Sequence, residues 1–198
     1  REWHPKLFSL ARKIKIEIFS SPFDETAIDF LEKLGCPAYK IASQEINHIP
    51  LIAKAAKTGK PIILSTGLCS LKDINLAVRT IKKFKNNKII ILKCTSSYPS
   101  SANELNLLTL KDIKKRFKTI SGFSDHTIDD TAALASVALG GKVLEKHIDL
   151  DQNKSVDRFF STKSSNFKQM VKKIRLLESS LGKIDYNPSS LSKKKHFV

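Results

Sequence analysis

The chain has 198 residues, long enough for one sizeable core and too short for two full domains. Hydrophobic residues make up 41% and charged residues 27%, the balance of an ordinary globular protein and not of a disordered tail or a membrane bundle. The formal charge of +16 comes from lysines scattered through every segment, with arginine scarce. Solvated helix faces explain this better than a nucleic-acid groove, whose base contacts favour Arg, so no nucleic-acid partner is expected.

Cys36, Cys69 and Cys94 are widely spaced and odd in number, without the pairing of a zinc site or a disulfide framework, and they read as reduced thiols. No signal-peptide pattern opens the chain, and no apolar run approaches the roughly 18 residues of a membrane span. The expectation is a cytoplasmic protein with no membrane partner.

In chain order, Leu7, Leu10, Ala11 and Ile14 fall at helical spacing, as if the chain began inside a series of elements. Ile16 to Ser21 reads as a strand, and Asp24 or Thr26 can cap a helix running to Leu34, closed by Gly35. Tyr39-Lys40-Ile41 is a short buried strand with a lysine inside it. A buried ammonium without a partner is expensive, so Lys40 either escapes to solvent or meets an anion at the strand end. The alternation then continues: a helix from Ile49 to Lys57, a strand from Ile62 to Ser65, a helix from Leu71 to Phe84, a strand starting at Ile89, a helix from about Leu107 to Phe117, a strand from Thr119 to Ser124, an Ala-rich helix from Asp129 to Leu139, a strand from Lys142 to Ile148 and an amphipathic helix from Phe167 to Leu181.

Regular βα alternation implies a parallel α/β sheet. Each strand ends in polar residues, and no Gly-x-Gly-x-x-Gly fingerprint occurs, which favours a (β/α)8 TIM barrel over a doubly wound sheet. About six βα units are legible, so the expected fold is an incomplete barrel lacking the first two units. Such an open sheet would expose apolar edges that aggregate or bind something in place of the absent strands. Residues 1–186 form the barrel portion, and residues 187–198 read as the start of a linker.

His126 and His147 stand at the ends of neighbouring strands, and two neutral imidazoles converging there suit a divalent metal with open positions for water and substrate. His4, His48 and His196 lie in surface-like contexts. Lys40, Ser43, Ser65, Thr66, Thr95, Ser96 and Ser124 ring the same expected opening with a cation and hydroxyl donors, a lining suited to phosphate or carboxylate. Helix capping is the competing use for each Ser or Thr. Glu45 either deprotonates a water near the metal or is a helix-start carboxylate.

The runs Phe19-Ser20-Ser21-Pro22-Phe23-Asp24, Tyr39 to Glu45, Pro61 to Gly67, Lys93 to Pro99, Ser124-Asp125-His126-Thr127 and Glu145-Lys146-His147 resemble, in order, the sialic acid synthases. These enzymes condense phosphoenolpyruvate with an amino sugar. Glu2-Trp3-His4 and Ser20 to Phe23 look most like the pseudaminic acid synthase branch, with legionaminate or N-acetylneuraminate synthase as the alternative. The resemblance implies a transferase of cell-surface carbohydrate biosynthesis that forms pseudaminic acid and phosphate from phosphoenolpyruvate, water and an open-chain 2,4-diacetamido-2,4,6-trideoxy-altrose-type sugar. It further implies a divalent cofactor, Mn2+ foremost with Mg2+ or Co2+ as alternatives, held by His126 and His147. Lys40, Ser43, Ser65, Ser96 and Ser124 correspond to the phosphoenolpyruvate binders, Glu45 to a water-activating carboxylate, and Tyr98 and Asp157 to positions near the sugar. The full-length protein is then expected to be a homodimer with a C-terminal antifreeze-like domain. The family's first two strands, bearing a glutamate and a second lysine, and its antifreeze-like domain have no counterpart in these residues. The loop Asp151 to Arg158 is one residue shorter than usual, with Gln152 where a basic residue is common. The rival readings are a truncated, non-catalytic remnant that keeps the anion site and a basic nucleic-acid binder.

Overall fold

The structure, a computed structural model, describes residues 1–150 and 155–187. The series of elements is α1 (His4–Ile14), α2 (Glu25–Lys33), β1 (Tyr39–Ile41), α3 (Ile49–Lys57), β2 (Ile62–Ser65), α4 (Leu71–Lys83), β3 (Ile89–Cys94), α5 (Thr109–Phe117), β4 (Ile120–Asp125), α6 (Thr131–Ala138), β5 (Val143–Lys146), β6 (Ile148–Asp149), β7 (Thr162–Lys163) and α7 (Ser164–Leu181). Local chemistry sets several boundaries. The Asp24 carboxylate accepts from Ala27 N at 2.7 Å to start α2, and a Ser70/Asp73 capping box starts α4.

Strands β1 to β5 form one parallel sheet in sequence order. Its register aligns Lys40 with Ile63, Cys94 with Ser124 and Ser124 with Glu145. Because side chains alternate along a strand, the register divides the sheet into two faces. Tyr39, Ile41, Ile62, Leu64, Ile89 and Ile91 point to one face and pack with Ile28, Leu31, Leu51, Ile52, Val78, Ile81 and Phe117 of the helices in a single core. Lys40, Ser65, Cys94, Ser124 and Glu145 belong to the other face.

That second face is concave. In a flat sheet four inter-strand steps of about 4.8 Å would place β1 and β5 roughly 19 Å apart. Instead, Lys40 Nζ on β1 lies 3.0 Å from Glu145 Oε1 on β5. The sheet therefore curls into a half-barrel whose polar strand ends face one another.

The expected six-unit count is corrected in one place. Ile16 to Ser21 is not a strand: only Ser20 bridges in parallel to Tyr39, with Lys40 N donating to Ser20 O at 3.3 Å. No strand lies on its far side among the described residues, so this segment has one row of ladder hydrogen bonds and stays irregular. At this open edge Ile16 and Phe19 are 62% and 42% exposed, the apolar edges expected of an incomplete barrel. The last predicted strand breaks at His147, after which Ile148–Asp149 pairs with Thr162–Lys163 in a separate two-stranded sheet. The expected linker at 187–198 and the residues Asp151 and Gln152 fall outside the described residues, except Asn187.

Two positions make the packing testable. A Cβ on Gly122 would lie 2.3 Å from the Val143 carbonyl oxygen and 2.7 Å from Leu92 Cδ2, so β4 and β5 meet where only a glycine fits. We expect Gly122→Ala to destabilise the fold by about 1–3 kcal/mol, read from its urea midpoint. Tyr39 is fully buried and its hydroxyl donates to Glu32. Burial, then this carboxylate, push the phenol well above its ordinary pKa. With the folded value raised, the contribution is fully present below about pH 10, where unfolded tyrosine ionises, and is lost as pH rises through the folded value. Stability should therefore fall more steeply between pH 9 and 11 for the unmodified chain than for Tyr39→Phe.

Candidate active site

The carboxyl ends of five strands converge on the concave face. From β1 comes Lys40, 8% exposed, whose ammonium meets the Glu145 carboxylate. Of the two fates open to a lysine in a strand, it takes the anion. Ser124 Oγ on β4 donates to the same Glu145 oxygen at 2.7 Å and lies 3.5 Å from His126 Nε2. A polar chain Lys40–Glu145–Ser124–His126 thus crosses the cup.

A second cluster joins the turns after β1, β2 and β3. Gly67 N donates to Ser43 Oγ at 2.9 Å. A Cβ on Gly67 would fall 2.2 Å from Ser96 Oγ and 3.1 Å from Ser43 Oγ, so the missing side chain opens a small hydroxyl-lined cradle. Ser65 is 2% exposed and its Oγ has no hydrogen-bond partner; Glu45 Oε2 is likewise buried and unpartnered. Unmade hydrogen bonds of buried polar atoms are costly, and they mark these two side chains as waiting for a ligand or water. Thr66 and Thr95 are corrections to the expected ring. Thr66 Oγ1 donates to Leu92 O at 3.0 Å and Thr95 Oγ1 to Glu104 O at 3.3 Å, so both hydroxyls serve the backbone.

The third group is aromatic. His126 and His147 have ring centroids 5.4 Å apart, Tyr98 stacks on His126 at 4.1 Å, and Phe160 lies 4.9 Å from His147. Asp157 Oδ2 is 3.7 Å from His147 Nδ1, which places Asp157 at the same mouth. His126 Nδ1 lies 2.8 Å from the Thr95 carbonyl oxygen. A carbonyl only accepts, so Nδ1 carries a proton and Nε2 is the nitrogen turned toward the cup. Burial lowers the His126 pKa, while the Thr95 carbonyl opposes the shift and His147 adds to it. Burial also raises the Tyr98 phenol.

This arrangement fits the imidazole share of a divalent-metal site: one ring held through Nδ1, with Nε2 toward the cup, beside a second ring. No group of three or more His, Cys, Asp or Glu able to hold a metal occurs among the described residues, so an ion on the two imidazoles would take its remaining ligands from water or substrate. Glu145 was not singled out from sequence as a site residue. Its signal was present, because it is in register with Ser124 and two residues before His147, on the inward phase of β5. Gly67 and Phe160 carried no comparable signal.

The NeuB family profile matches residues 1–186. The chain belongs to the NeuB family. It is 41% identical to a pseudaminic acid synthase of Helicobacter pylori over 200 residues, covering all of this chain and 59% of that protein. It is 40% identical to an N,N'-diacetyllegionaminic acid synthase of Campylobacter jejuni, over 90% of this chain and 54% of the relative. Among solved NeuB-like structures, an N-acetylneuraminic acid synthetase from Leptospira borgpetersenii in complex with citrate superposes with a TM-score of 0.88 at 30% identity, covering 96% of this chain and 68% of that one. The chain thus spans little more than half the length of the curated NeuB relatives it matches. Among the described residues no helix is long and apolar enough to cross a membrane.

The Lys40–Glu145 contact permits a direct test. Glu145→Ala leaves an ammonium with 10% side-chain exposure unpaired and should cost about 1–3 kcal/mol. Adding Lys40→Met should recover most of the loss, because removing both charges together is close to neutral. A denaturation double-mutant cycle measures both.

Proposed function

We propose that this chain is the barrel portion of a nonulosonic acid synthase that condenses phosphoenolpyruvate with an open-chain amino sugar of the 2,4-diacetamido-2,4,6-trideoxy-altrose type, giving pseudaminic acid and phosphate. The observation that supports it most is the presence, at one mouth, of a cationic and hydroxyl cradle beside two convergent imidazoles, in a chain similar along its whole length to a pseudaminic acid synthase.

In this reading Lys40, Ser43, Ser65, Ser96 and Ser124 hold the phosphate and carboxylate of phosphoenolpyruvate by charge-assisted hydrogen bonds, which gain strength where water is thin. Lys40 then exchanges Glu145 for the incoming anion. His126 and His147 hold a divalent ion, Mn2+ foremost with Mg2+ or Co2+ as alternatives, which when bound polarises the sugar aldehyde. Tyr98 and Asp157 orient the sugar beside the imidazoles. Carbon 3 of phosphoenolpyruvate attacks the aldehyde carbon, a C–C bond forms as the C=O π pair moves to the oxygen, and that oxygen takes a proton from solvent water. Cationic character develops at carbon 2. Water adds there and gives its proton to Glu45, whose unpartnered Oε2 is free to receive it. The tetrahedral centre collapses to the keto acid as its C–O bond to phosphate breaks. The full-length protein is proposed to act as a homodimer.

A second reading keeps the chemistry and changes the sugar: 40% identity to a legionaminic acid synthase against 41% to a pseudaminic acid synthase leaves the two substrates close. Phosphate release from phosphoenolpyruvate, measured for the full-length protein with Mn2+ and each candidate sugar in turn, tests both. We expect release with the diacetamido-trideoxy-altrose and a loss of at least about a hundredfold in His126→Ala. Release only with the legionaminate precursor or N-acetylmannosamine would reassign the branch. No release with any sugar would overturn the synthase in favour of a non-catalytic remnant.

A further inference from the structure

One residue away from the concave face, the same two strands carry a second polar feature on the face that packs against helices. Asp125 follows Ser124 and Lys146 follows Glu145, so strand alternation turns both toward the helix side, where Ile41, Leu64 and Ile91 are apolar. The two are cross-strand neighbours: Lys146 Nζ lies 2.7 Å from Asp125 Oδ2, with side-chain exposures of 1% and 0%. A buried ion pair gains little or no stability over an apolar pair of similar volume, so stability does not account for its presence.

Its hydrogen bonds give it a more specific task. Asp125 Oδ1 accepts from Thr127 N at 2.9 Å and from Thr127 Oγ1 at 2.7 Å. Lys146 Nζ also donates to the Thr127 and Asp129 carbonyl oxygens, at 2.8 and 3.2 Å. The pair therefore ties the end of β5 to the end of β4 and grips the loop at residues 127 and 129. His126 sits between two anchored residues, and His147 directly follows the lysine.

We infer that Asp125 and Lys146 are positioning residues: from the far side of the sheet they fix the backbone that carries His126, keeping Nδ1–H on the Thr95 carbonyl and Nε2 turned to the concave side, in register with His147. Their charged atoms bond to each other and to the loop at residues 127 and 129, not to the side chains of the concave face. They act through the imidazole as an outer layer of the site, and their consequence for metal affinity rests on the proposed two-imidazole metal site. The tautomer of His126 does not depend on that reading and can be measured without any metal.

The test uses the full-length protein with 15N-labelled histidine and the double variant Asp125→Asn/Lys146→Met. This removes both charges, keeps the shape of residue 125 and leaves its side-chain oxygen for Thr127. The His126 signals are identified by their loss in His126→Ala. In the unmodified protein we expect the Nδ1–H form. In the double variant we expect a mixture of tautomers while the melting temperature stays within about 5 °C. The Mn2+ dissociation constant, from the paramagnetic resonance signal of the free ion, should rise by roughly tenfold or more. Lys146→Arg, which keeps a cationic donor, should retain the Nδ1–H form. The inference is overturned if the double variant keeps that form, or if it is lost only where the cooperative melting transition is lost too. If the tautomer shifts as expected but the unmodified protein binds no Mn2+, the positioning role stands and the metal reading fails.

Discussion

A lysine in the middle of a buried strand is a constraint that the sheet has to resolve. Lys40 cannot leave its ammonium in an apolar layer, and its partner, Glu145, is four strands away in the sheet. The contact is possible only because right-handed twist and curl bring the two edges of the sheet together. Once they do, every inward side chain at the carboxyl end of a strand faces the same small volume. The electrostatic requirement of one residue and the geometry of the cup are in this sense one fact.

The two phases of each strand then divide the work. The outward phase is apolar for most of its length and binds helices; the inward phase becomes polar at its carboxyl end, where Cys94, Ser124 and Glu145 stand side by side and Ser65 lies in register with Leu92. Asp125 and Lys146 form a buried charged pair on that packing phase, next to the two histidines. Glycine supplies the remaining freedom. Gly122 lets β4 and β5 pinch together in the floor, and Gly67 lets three turns close in on the Ser43 and Ser96 hydroxyls.

Much of this was legible in the amino-acid order. Alternating apolar runs located β1 to β5, and Asp24, Gly35 and Ser70 stand at helix boundaries where capping chemistry places them. His126, His147, Lys40 and Ser124 were found because polar residues at strand ends share a direction in any parallel barrel. What escaped depends on non-local partners. Ile16 to Ser21 has strand-forming residues but only one neighbour to pair with, and the β6–β7 ladder joins residues separated by a loop. Thr66 and Thr95 have the right chemistry and spacing for the cradle, yet nearby backbone carbonyls claim their hydroxyls. Periodicity gives the phase of Glu145; only the curl reveals what it touches.

The walls of the cup differ in how they are held. Ser43, Ser65 and Gly67 hang from strands and helices whose apolar side chains interlock in one continuous core. Asp157 and Phe160 come from the segment leading into α7, an 18-residue helix that fully buries only Met170. Free energies of local opening follow the apolar contact that an element forfeits, so the core-packed strands hold their side of the mouth more firmly than α7 holds its own. The cradle thus inherits the rigidity of the core, whereas Asp157 and Phe160 depend on a helix that buries little of itself.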